Sequence, residues 1–181
     1  MNVHTHLTLP VLVMPFTAHN QLKHSLLESI SVQSSEVTEK NNTHEVLRTD
    51  YPTGKLQSST DRSTFLYKTM IMPFLKTDMD RAFKVLNHDN PELLGMWFQQ
   101  YNTKGHHDWH QHRGSTWSCV YYLELAQDGP PTVLRDILNP NKEWAPKVKE
   151  GDILIFPSFV THCSPPNTGN SRKTVIAFNI K

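Results

Sequence analysis

Five of the eleven histidines in this 181-residue chain fall in two short segments. Four lie between residues 106 and 112, and the fifth is His162. In a β-strand, residues two apart project to the same face, so His110 and His112 would place two imidazoles side by side. A His-x-His pair with a distant third histidine is the ligand set of many jelly-roll metal sites. The spacing therefore predicts one divalent metal ion held by His110, His112 and His162.

The same segment leaves a second ligand arrangement open. His106 and Asp108 would face the same way as the His-x-His pair if the whole segment were extended. They form a literal His-x-Asp pair, which is the pattern expected of an iron site with two histidines and one carboxylate. Asp108 is therefore an alternative ligand. Gly105 opens a polar run, however, and this favours a loop over ligation for His106 and His107.

A cation follows the last of these histidines at a distance that a β-hairpin can close. Arg172 comes ten residues after His162, across a Pro-Pro-Asn-Thr-Gly-Asn turn, so the two would sit on consecutive antiparallel strands. Strand alternation places Thr174 on the same face as Arg172, above an apolar floor. A guanidinium and a hydroxyl arranged in this way predict a receptor for a carboxylate. The alternatives are an exposed arginine at the start of a strand, or an acidic partner from a distant strand.

Residues 1–90 predict helices and loops that brace the site. The segment from Leu7 to Met14 is strand-like, and Asn20 offers an N-cap for a helix with leucines at helical spacing. A polar insertion is expected over residues 31–64. Two short helices should follow, over residues 65–72 and 78–86, because Pro73 interrupts the pattern.

Residues 91–181 predict a β-core that carries the site. The turn residues between its short apolar segments favour a sandwich or barrel over a parallel sheet. The predicted strands are Leu93 to Tyr101, Trp109 to His112, Ser115 to Leu125, Thr132 to Arg135, Asp152 to Phe156, Phe159 to Cys163, and Arg172 to Ile180. The fold class is thus mainly β with N-terminal helices. No repeat or linker separates the halves, so we expect a single domain over residues 1–181.

Composition excludes several other classes of protein. The net charge of +1 and the scattered Lys and Arg residues give no nucleic-acid signature. No apolar run approaches the roughly 20 residues that a membrane helix needs. The first residues lack the features of a secretory signal, so a cytoplasmic location is expected. Cys119 and Cys163 are accordingly expected to be reduced thiols.

Three stretches of the chain together resemble the 2-oxoglutarate and iron(II)-dependent oxygenase family in order, spacing and residue type. The residues that carry the resemblance are the run from Trp109 to Leu123, the run from Glu150 to Ser158, His162, and the run from Arg172 to Asn179. The similarity is close from about Leu94 to the last residue and looser before it.

The resemblance implies a double-stranded β-helix, also called a jelly roll. It implies Fe(II) at His110, His112 and His162, and it favours this set over the pair that contains Asp108. It also implies 2-oxoglutarate as co-substrate, anchored through its distal carboxylate by Arg172 with Thr174. This ligand set departs from the wider superfamily, which usually has a carboxylate where this chain has the second histidine of the pair, His112.

Two tyrosines are candidate hydrogen-bond donors to the co-substrate, Tyr101 and Tyr121, although buried aromatic packing is the favoured account of each. The expected activity is that of a hydroxylase, which couples oxidative decarboxylation of 2-oxoglutarate to succinate with oxidation of a substrate. The alternatives are a cupin-like three-histidine dioxygenase, a zinc enzyme, or a jelly roll that binds metal without turnover. The sequence does not distinguish a small molecule, a peptide or a nucleobase as substrate, and it gives no oligomeric state.

Overall fold

A computed structural model of the protein describes residues 9–32, 39–40, 44–51 and 66–181. These residues form two helices and twelve strands. The helices are α1 (His19–Val32) and α2 (Leu66–Val85), and the strands are β1 (Leu12–Pro15), β2 (Glu39–Lys40), β3 (His44–Val46), β4 (Arg48–Thr49), β5 (Leu93–Tyr101), β6 (His106–His110), β7 (Trp117–Glu124), β8 (Val133–Arg135), β9 (Glu143–Trp144), β10 (Asp152–Pro157), β11 (His162–Ser164) and β12 (Lys173–Ile180).

The strands form two six-stranded antiparallel sheets. The first, which we call the major sheet, has the order β1-β10-β7-β12-β5-β4. The second, the minor sheet, has the order β2-β3-β6-β11-β8-β9. An apolar cluster that includes Tyr122, Phe156, Val175 and Leu134 fills the space between them. This arrangement confirms the predicted jelly roll. The first fifty residues also supply strands to both sheets, so they contribute more than bracing helices.

Both helices pack on the outer face of the major sheet. The buried residues of α1 recur every four positions at Leu22, Leu26 and Ile30. Those of α2 include Tyr67, Ile71, Leu75 and Met79 at the same spacing. A four-residue repeat places these side chains on one stripe of each helix. The two stripes join Phe98, Ile176 and Phe178 of the sheet in the larger of the two apolar clusters.

The prediction of two short helices around Pro73 is wrong, because α2 runs through the proline without interruption. Proline leaves the carbonyl four residues earlier without its helical donor. Here both Pro73 and Thr69 lie on the exposed side of α2, where water can satisfy that carbonyl. The buried stripe on the opposite side stabilises a single helix.

A buried carboxylate fastens α2 to the major sheet. Asp50 accepts hydrogen bonds from the backbone N–H of Phe98 at 2.7 Å and from the Tyr67 hydroxyl at 2.7 Å. Its Oδ2 also lies 2.9 Å from Nζ of Lys68. These donors compensate for the loss of water around Asp50, which is only 5% exposed. The helix is thereby held against β5.

Most of the predicted strands are confirmed, with two differences that affect the site: β11 begins at His162 and not at the predicted Phe159, and β6 spans His106–His110 and not the predicted Trp109 to His112. Strand β5 has the predicted bounds, and β7, β10 and β12 differ from the predictions by at most two residues at either end. The loop predicted for His106 and His107 is wrong: both belong to β6, whose backbone pairs with β3. This pairing satisfies the polar backbone of a segment that composition alone assigns to a turn. Residues before 9, and much of the predicted polar insertion, lie outside the described residues.

Candidate metal centre

The three predicted histidine ligands meet at one place between the sheets. His110 and His162 are directly paired across β6 and β11. Their ring centroids lie 4.2 Å apart, and the ring of His112 lies 5.1 Å from His110 and 5.2 Å from His162. One possible ligand atom from each residue lies within 4.8 Å of the other two. This separation is compatible with a single ion bound to all three.

His112 reaches the group from outside the strand. Strand β6 ends at His110, and the backbone N–H of His112 donates to the Ser158 carbonyl at 3.1 Å. Two residues later, Gly114 has a φ of +90°, a conformation that favours glycine and lets the chain turn towards β7. A turn tethered to the residue after β10 therefore positions this ligand, and strand alternation alone does not.

Hydrogen bonds at Nδ1 prepare two of the rings to bind metal through Nε2. Nδ1 of His110 lies 2.7 Å from the Asp108 carbonyl oxygen, and Nδ1 of His162 lies 3.0 Å from that of Val160. A carbonyl oxygen can only accept, so Nδ1 must carry the proton and Nε2 keeps its lone pair. Nδ1 of His112 instead faces the side-chain Nδ2 of Asn179 at 3.2 Å, while Oδ1 of Asn179 accepts from the Ser118 hydroxyl. Metal binding through Nε2 of His112 would require the Asn179 amide to turn its oxygen towards the ring.

Burial favours the neutral form of two of the imidazoles, those of His112 and His162. Desolvation, and then the proximity of His110, lowers the pKa of His112 to about 4. Desolvation, again followed by His110, places the pKa of His162 well below its usual range. Neutral imidazole nitrogens are the form that coordinates a metal. The donor set thus fits a divalent first-row ion such as Fe(II) or Zn(II).

The alternative carboxylate ligand is not brought to this group. The side chain of Asp108 is exposed, and its Oδ1 accepts the N–H of Trp109 at 2.8 Å. The cause is a β-bulge: His110 pairs with His162 and His107 with Ser164, so β6 has two residues where β11 has one. The bulge at Asp108 and Trp109 turns the carboxylate away from the cavity.

The same bulge adds a histidine that the parity argument missed. His107 and His110 are three residues apart and would face opposite ways on a regular strand. Here their rings stack with centroids 4.0 Å apart and an interplanar angle of 18°. His107 lines the cavity beside the three ligands. Strand alternation in the sequence contains no signal for this, since the extra residue is visible only once β6 is paired.

A cavity of about 240 Å³ adjoins the histidines and lies between the sheets. The major sheet lines it through Gln99 and Tyr101 of β5 and through the odd-numbered residues of β12. Those residues are Lys173, Val175, Ala177 and Asn179. The even-numbered residues Ile176 and Phe178 instead join the cluster under the helices.

The predicted carboxylate receptor therefore faces the wrong way. Arg172 and Thr174 do share a face, but it is the outer face of the major sheet. Arg172 makes a two-pronged ion pair with Glu124 of β7, at 2.9 Å from Nε and 3.0 Å from Nη2. The Thr174 hydroxyl donates to the same carboxylate. The acidic partner comes from the neighbouring strand, where Glu124 pairs with Thr174 in register.

Lys173 occupies the position inside the cavity that was predicted for Arg172. Its side chain is 2% exposed, and Nζ donates to the Pro130 carbonyl at 2.8 Å and to the Ser164 hydroxyl at 3.0 Å. Nζ also lies 5.7 Å from the ring centroid of Tyr101 and 5.9 Å from that of Tyr122. Desolvation lowers the pKa of this amine to about 7. Within the described residues, no carboxylate forms an ion pair with it.

No protein-family model and no curated protein matches the chain, whereas many solved structures share its fold. A prolyl-4-hydroxylase from Pseudomonas putida superposes with a TM-score of 0.65 at 11% identity, over 96% of this chain and 93% of that one. A viral collagen prolyl hydroxylase from Paramecium Bursaria Chlorella virus-1, solved as its 2OG complex, gives 0.60 at 10% identity over 94% of both chains. The chain has the fold of the 2OG-Fe(II) oxygenases.

An oxidoreductase of the 2OG-Fe(II) oxygenase family from Burkholderia pseudomallei also superposes, with a TM-score of 0.56 at 11% identity. That match covers 64% of this chain, which spans just over half, 56%, of the Burkholderia chain. No helix among the described residues is long and apolar enough to cross a membrane.

Within this oxygenase fold, only one of the two candidate tyrosines reaches the cavity. Tyr101 lines it, and its hydroxyl donates to Oε1 of Gln99 at 2.9 Å. Tyr121 faces the helices instead, with its hydroxyl 2.7 Å from Nδ1 of His19 on α1. The difference follows from strand alternation. Successive residues along a strand point to opposite faces of the sheet, and paired residues on neighbouring strands point to the same face.

Aromatic rings form one wall of the cavity beside the metal ligands. The Trp97 ring stacks on His112 with centroids 5.5 Å apart and an interplanar angle of 30°. Tyr51 meets Trp97 edge to face at 4.9 Å and is 40% exposed. The sequence assigned no role to Trp97. Its burial fits core packing, and its position also makes it a surface against which a substrate can lie.

Proposed function

We propose that the protein is a non-haem Fe(II)- and 2-oxoglutarate-dependent oxygenase, acting as a hydroxylase. One observation carries the proposal: the same cavity is lined by three histidines fit to bind metal and by a buried amine that has no carboxylate partner among the described residues. The keto acid end of 2-oxoglutarate requires a metal ion, which the histidines would hold, and its distal carboxylate requires a cation, which the amine would supply. The resemblance in fold to 2OG-Fe(II) oxygenases supports the same reading.

His110, His112 and His162 would hold the iron through Nε2. Iron bound there would supply the activation of dioxygen, with oxidative decarboxylation of 2-oxoglutarate to succinate and carbon dioxide. The three histidines would hold the ion while leaving it accessible from the cavity to small molecules. The hydrogen bonds at Nδ1 keep the rings in place during this exchange.

Lys173, in place of Arg172, would bind the distal carboxylate of 2-oxoglutarate. A carboxylate beside Nζ would supply the counter-charge that this buried amine needs to be protonated. Ser164, which already accepts from Nζ, lies next to the same point. The aromatic rings of Tyr101 and Tyr122 exclude water from the amine, which strengthens its interaction with an anion.

The size of the cavity indicates how a substrate is presented. Pockets that enclose a drug-sized ligand measure about 300–1,000 Å³. The cavity here, at about 240 Å³, leaves little room beyond the co-substrate. A substrate would then insert only its reactive group, past Tyr51 and Trp97, while the rest stays outside. A small molecule, a peptide or a nucleobase remains compatible with this geometry, and the cytoplasmic location stays a prediction.

Anaerobic titration tests the proposal. The protein is loaded with Fe(II), and 2-oxoglutarate is added while the weak visible charge-transfer band of a chelated keto acid is monitored. We expect one Fe(II) per chain and a saturable band, with succinate formed when oxygen and a suitable substrate are added. Lys173→Met should keep the iron and lose most of the co-substrate affinity.

Arg172→Met is the matched control, because it removes the neighbouring cation from the opposite face of β12. It should retain both iron and 2-oxoglutarate. Stoichiometric zinc with no keto acid band would favour the zinc enzyme instead. Metal-dependent folding with no 2-oxoglutarate binding would favour a non-catalytic jelly roll.

A further inference from the structure

A chain of hydrogen bonds runs from Tyr101 to His107 along the wall of the cavity. It begins beside Lys173, whose Nζ lies 5.7 Å from the Tyr101 ring centroid and donates to the Ser164 hydroxyl at 3.0 Å. The Tyr101 hydroxyl donates to Oε1 of Gln99 at 2.9 Å. Nε2 of Gln99 lies 3.3 Å from Nδ1 of His107. The chain thus ends at a ring that stacks on His110, one of the candidate metal ligands.

The chemistry of its members gives this chain one direction. The Tyr101 hydroxyl donates to the oxygen of the Gln99 amide, which leaves the amide nitrogen facing His107. An amide nitrogen only donates, so Nδ1 of His107 must accept. The neutral ring therefore carries its proton on Nε2.

We propose that His107 is a positioning residue of the metal pocket, held as an Nε2–H donor towards an oxygen at the keto acid end of the co-substrate. The proposal rests on the proposed function for the identity of that acceptor. Three structural features support it: the bulge that turns His107 inward, the stack on His110, and the directed chain of hydrogen bonds that ends at Nδ1. Bulges next to active sites commonly re-aim a side chain in this way.

The arrangement also explains why Gln99 is buried between the sheets. The residue is 8% exposed, and its amide joins Tyr101 on its own strand to His107 on the minor sheet. An apolar side chain of similar volume would pack there with no polar group to satisfy. The amide instead fixes which nitrogen of His107 donates.

The proton position can be read directly by long-range ¹H–¹⁵N correlation spectroscopy on the full chain, metal-free and zinc-loaded. We expect the Nε2–H form of His107 in the wild type. Gln99→Glu, examined at pH 8, presents only acceptors and should move the proton to Nδ1. Gln99→Leu should remove the preference for either nitrogen.

Gln100→Leu is the matched control, because Gln100 is the neighbouring amide and points to the other face, where it donates to Thr174 at 3.2 Å. It should leave the His107 signals unchanged. This hydrogen-bond chain, the relay to His107, is refuted if the wild-type His107 ring carries its proton on Nδ1, or if both Gln99 variants leave the proton where it is.

A second measurement addresses the donor role, with 2-oxoglutarate as the probe and iron content checked in parallel. His107→Phe keeps a ring to stack on His110 and removes the donor, so the Kd for 2-oxoglutarate should rise about tenfold and the charge-transfer band should shift. His107→Gln, whose amide nitrogen can take the place of Nε2, should restore most of the affinity. His107→Asn, whose shorter amide matches Nδ1, should not.

The double variant separates a relay from two independent effects. If Gln99 acts through His107, then Gln99→Leu should add little to the loss already caused by His107→Phe. Wild-type affinity in His107→Phe would overturn the donor role even if the proton is on Nε2. A wild type that binds Fe(II) but no 2-oxoglutarate would instead refute the proposed function, and the spectroscopy would still decide the relay.

Discussion

Binding of 2-oxoglutarate should take up a proton at Lys173. With a pKa of about 7 in the ligand-free cavity, roughly nine in ten of these amines are neutral at pH 8 and one in ten at pH 6. A bound carboxylate favours the charged form and raises the pKa again. Binding should therefore consume about 0.9 proton at pH 8, 0.5 at pH 7 and 0.1 at pH 6.

The sign of the pH dependence follows from these fractions. Affinity should be greatest below pH 7 and should fall as the pH rises through 7, by up to about tenfold per unit. The other titratable groups around Nζ do not interfere, because burial raises the pKa of Tyr122 to about 12 and that of Cys163 to about 11, and raises that of Tyr101 as well. They stay neutral between pH 6 and 9.

Calorimetry on the iron-loaded protein, in pairs of buffers with different ionisation enthalpies, measures the uptake directly. Lys173→Arg is the control, since a guanidinium stays charged at every pH in this range and should bind with no proton uptake. Uptake near zero at pH 8 in the wild type would refute the reasoning. So would an undiminished uptake in Lys173→Arg.

Three further predictions concern residues around the site. Below pH 7, ligand-free Lys173→Met should have a free energy of unfolding in urea about 2–4 kcal/mol higher than that of the wild type, because no charge is buried. This difference should narrow from pH 7 to 10, where the lysine of the unfolded wild type binds more protons than that of the folded protein. A difference that does not change with pH would contradict the prediction. Arg172→Met should cost only about 1 kcal/mol of stability, since its pair with Glu124 is partly exposed, and should leave the Kd for 2-oxoglutarate within twofold. Asp108→Ala should keep one metal per chain by elemental analysis and lose about 0.5–1.5 kcal/mol, because the N–H of Trp109 loses its acceptor; loss of the metal would restore Asp108 as a ligand.

The sequence was sufficient for most strands of the β-core and for the three histidines that the structure brings together. Strands such as β5 and β10 are short apolar runs between turn residues, and such patterns are local. The single helix through Pro73 was not predicted, because tertiary packing decides which side of α2 is buried. The segment with His106 and His107 was predicted to be a loop, because only its pairing with β3 makes it a strand.

Which side of β12 faces the site was decided only by tertiary structure. Alternation separates Arg172 and Thr174 from Lys173, but it does not say which set points inward. On a sheet with one face in water, polar side chains would have marked the outside. Here the helices cover the outer face, so seven of the eight residues of β12 are buried and both sets look alike in the sequence.

The bulge in β6 is the second feature that only the folded chain decides. An extra residue changes the parity of everything beyond it, and parity was the basis for placing Asp108 with the ligands and His107 away from them. Residue types and spacing thus predicted the group of three histidines, His110, His112 and His162, that could hold a metal ion. The packing of α1 and α2 on one face, and the pairing of β6 with β11, determined that Lys173 and His107 accompany it.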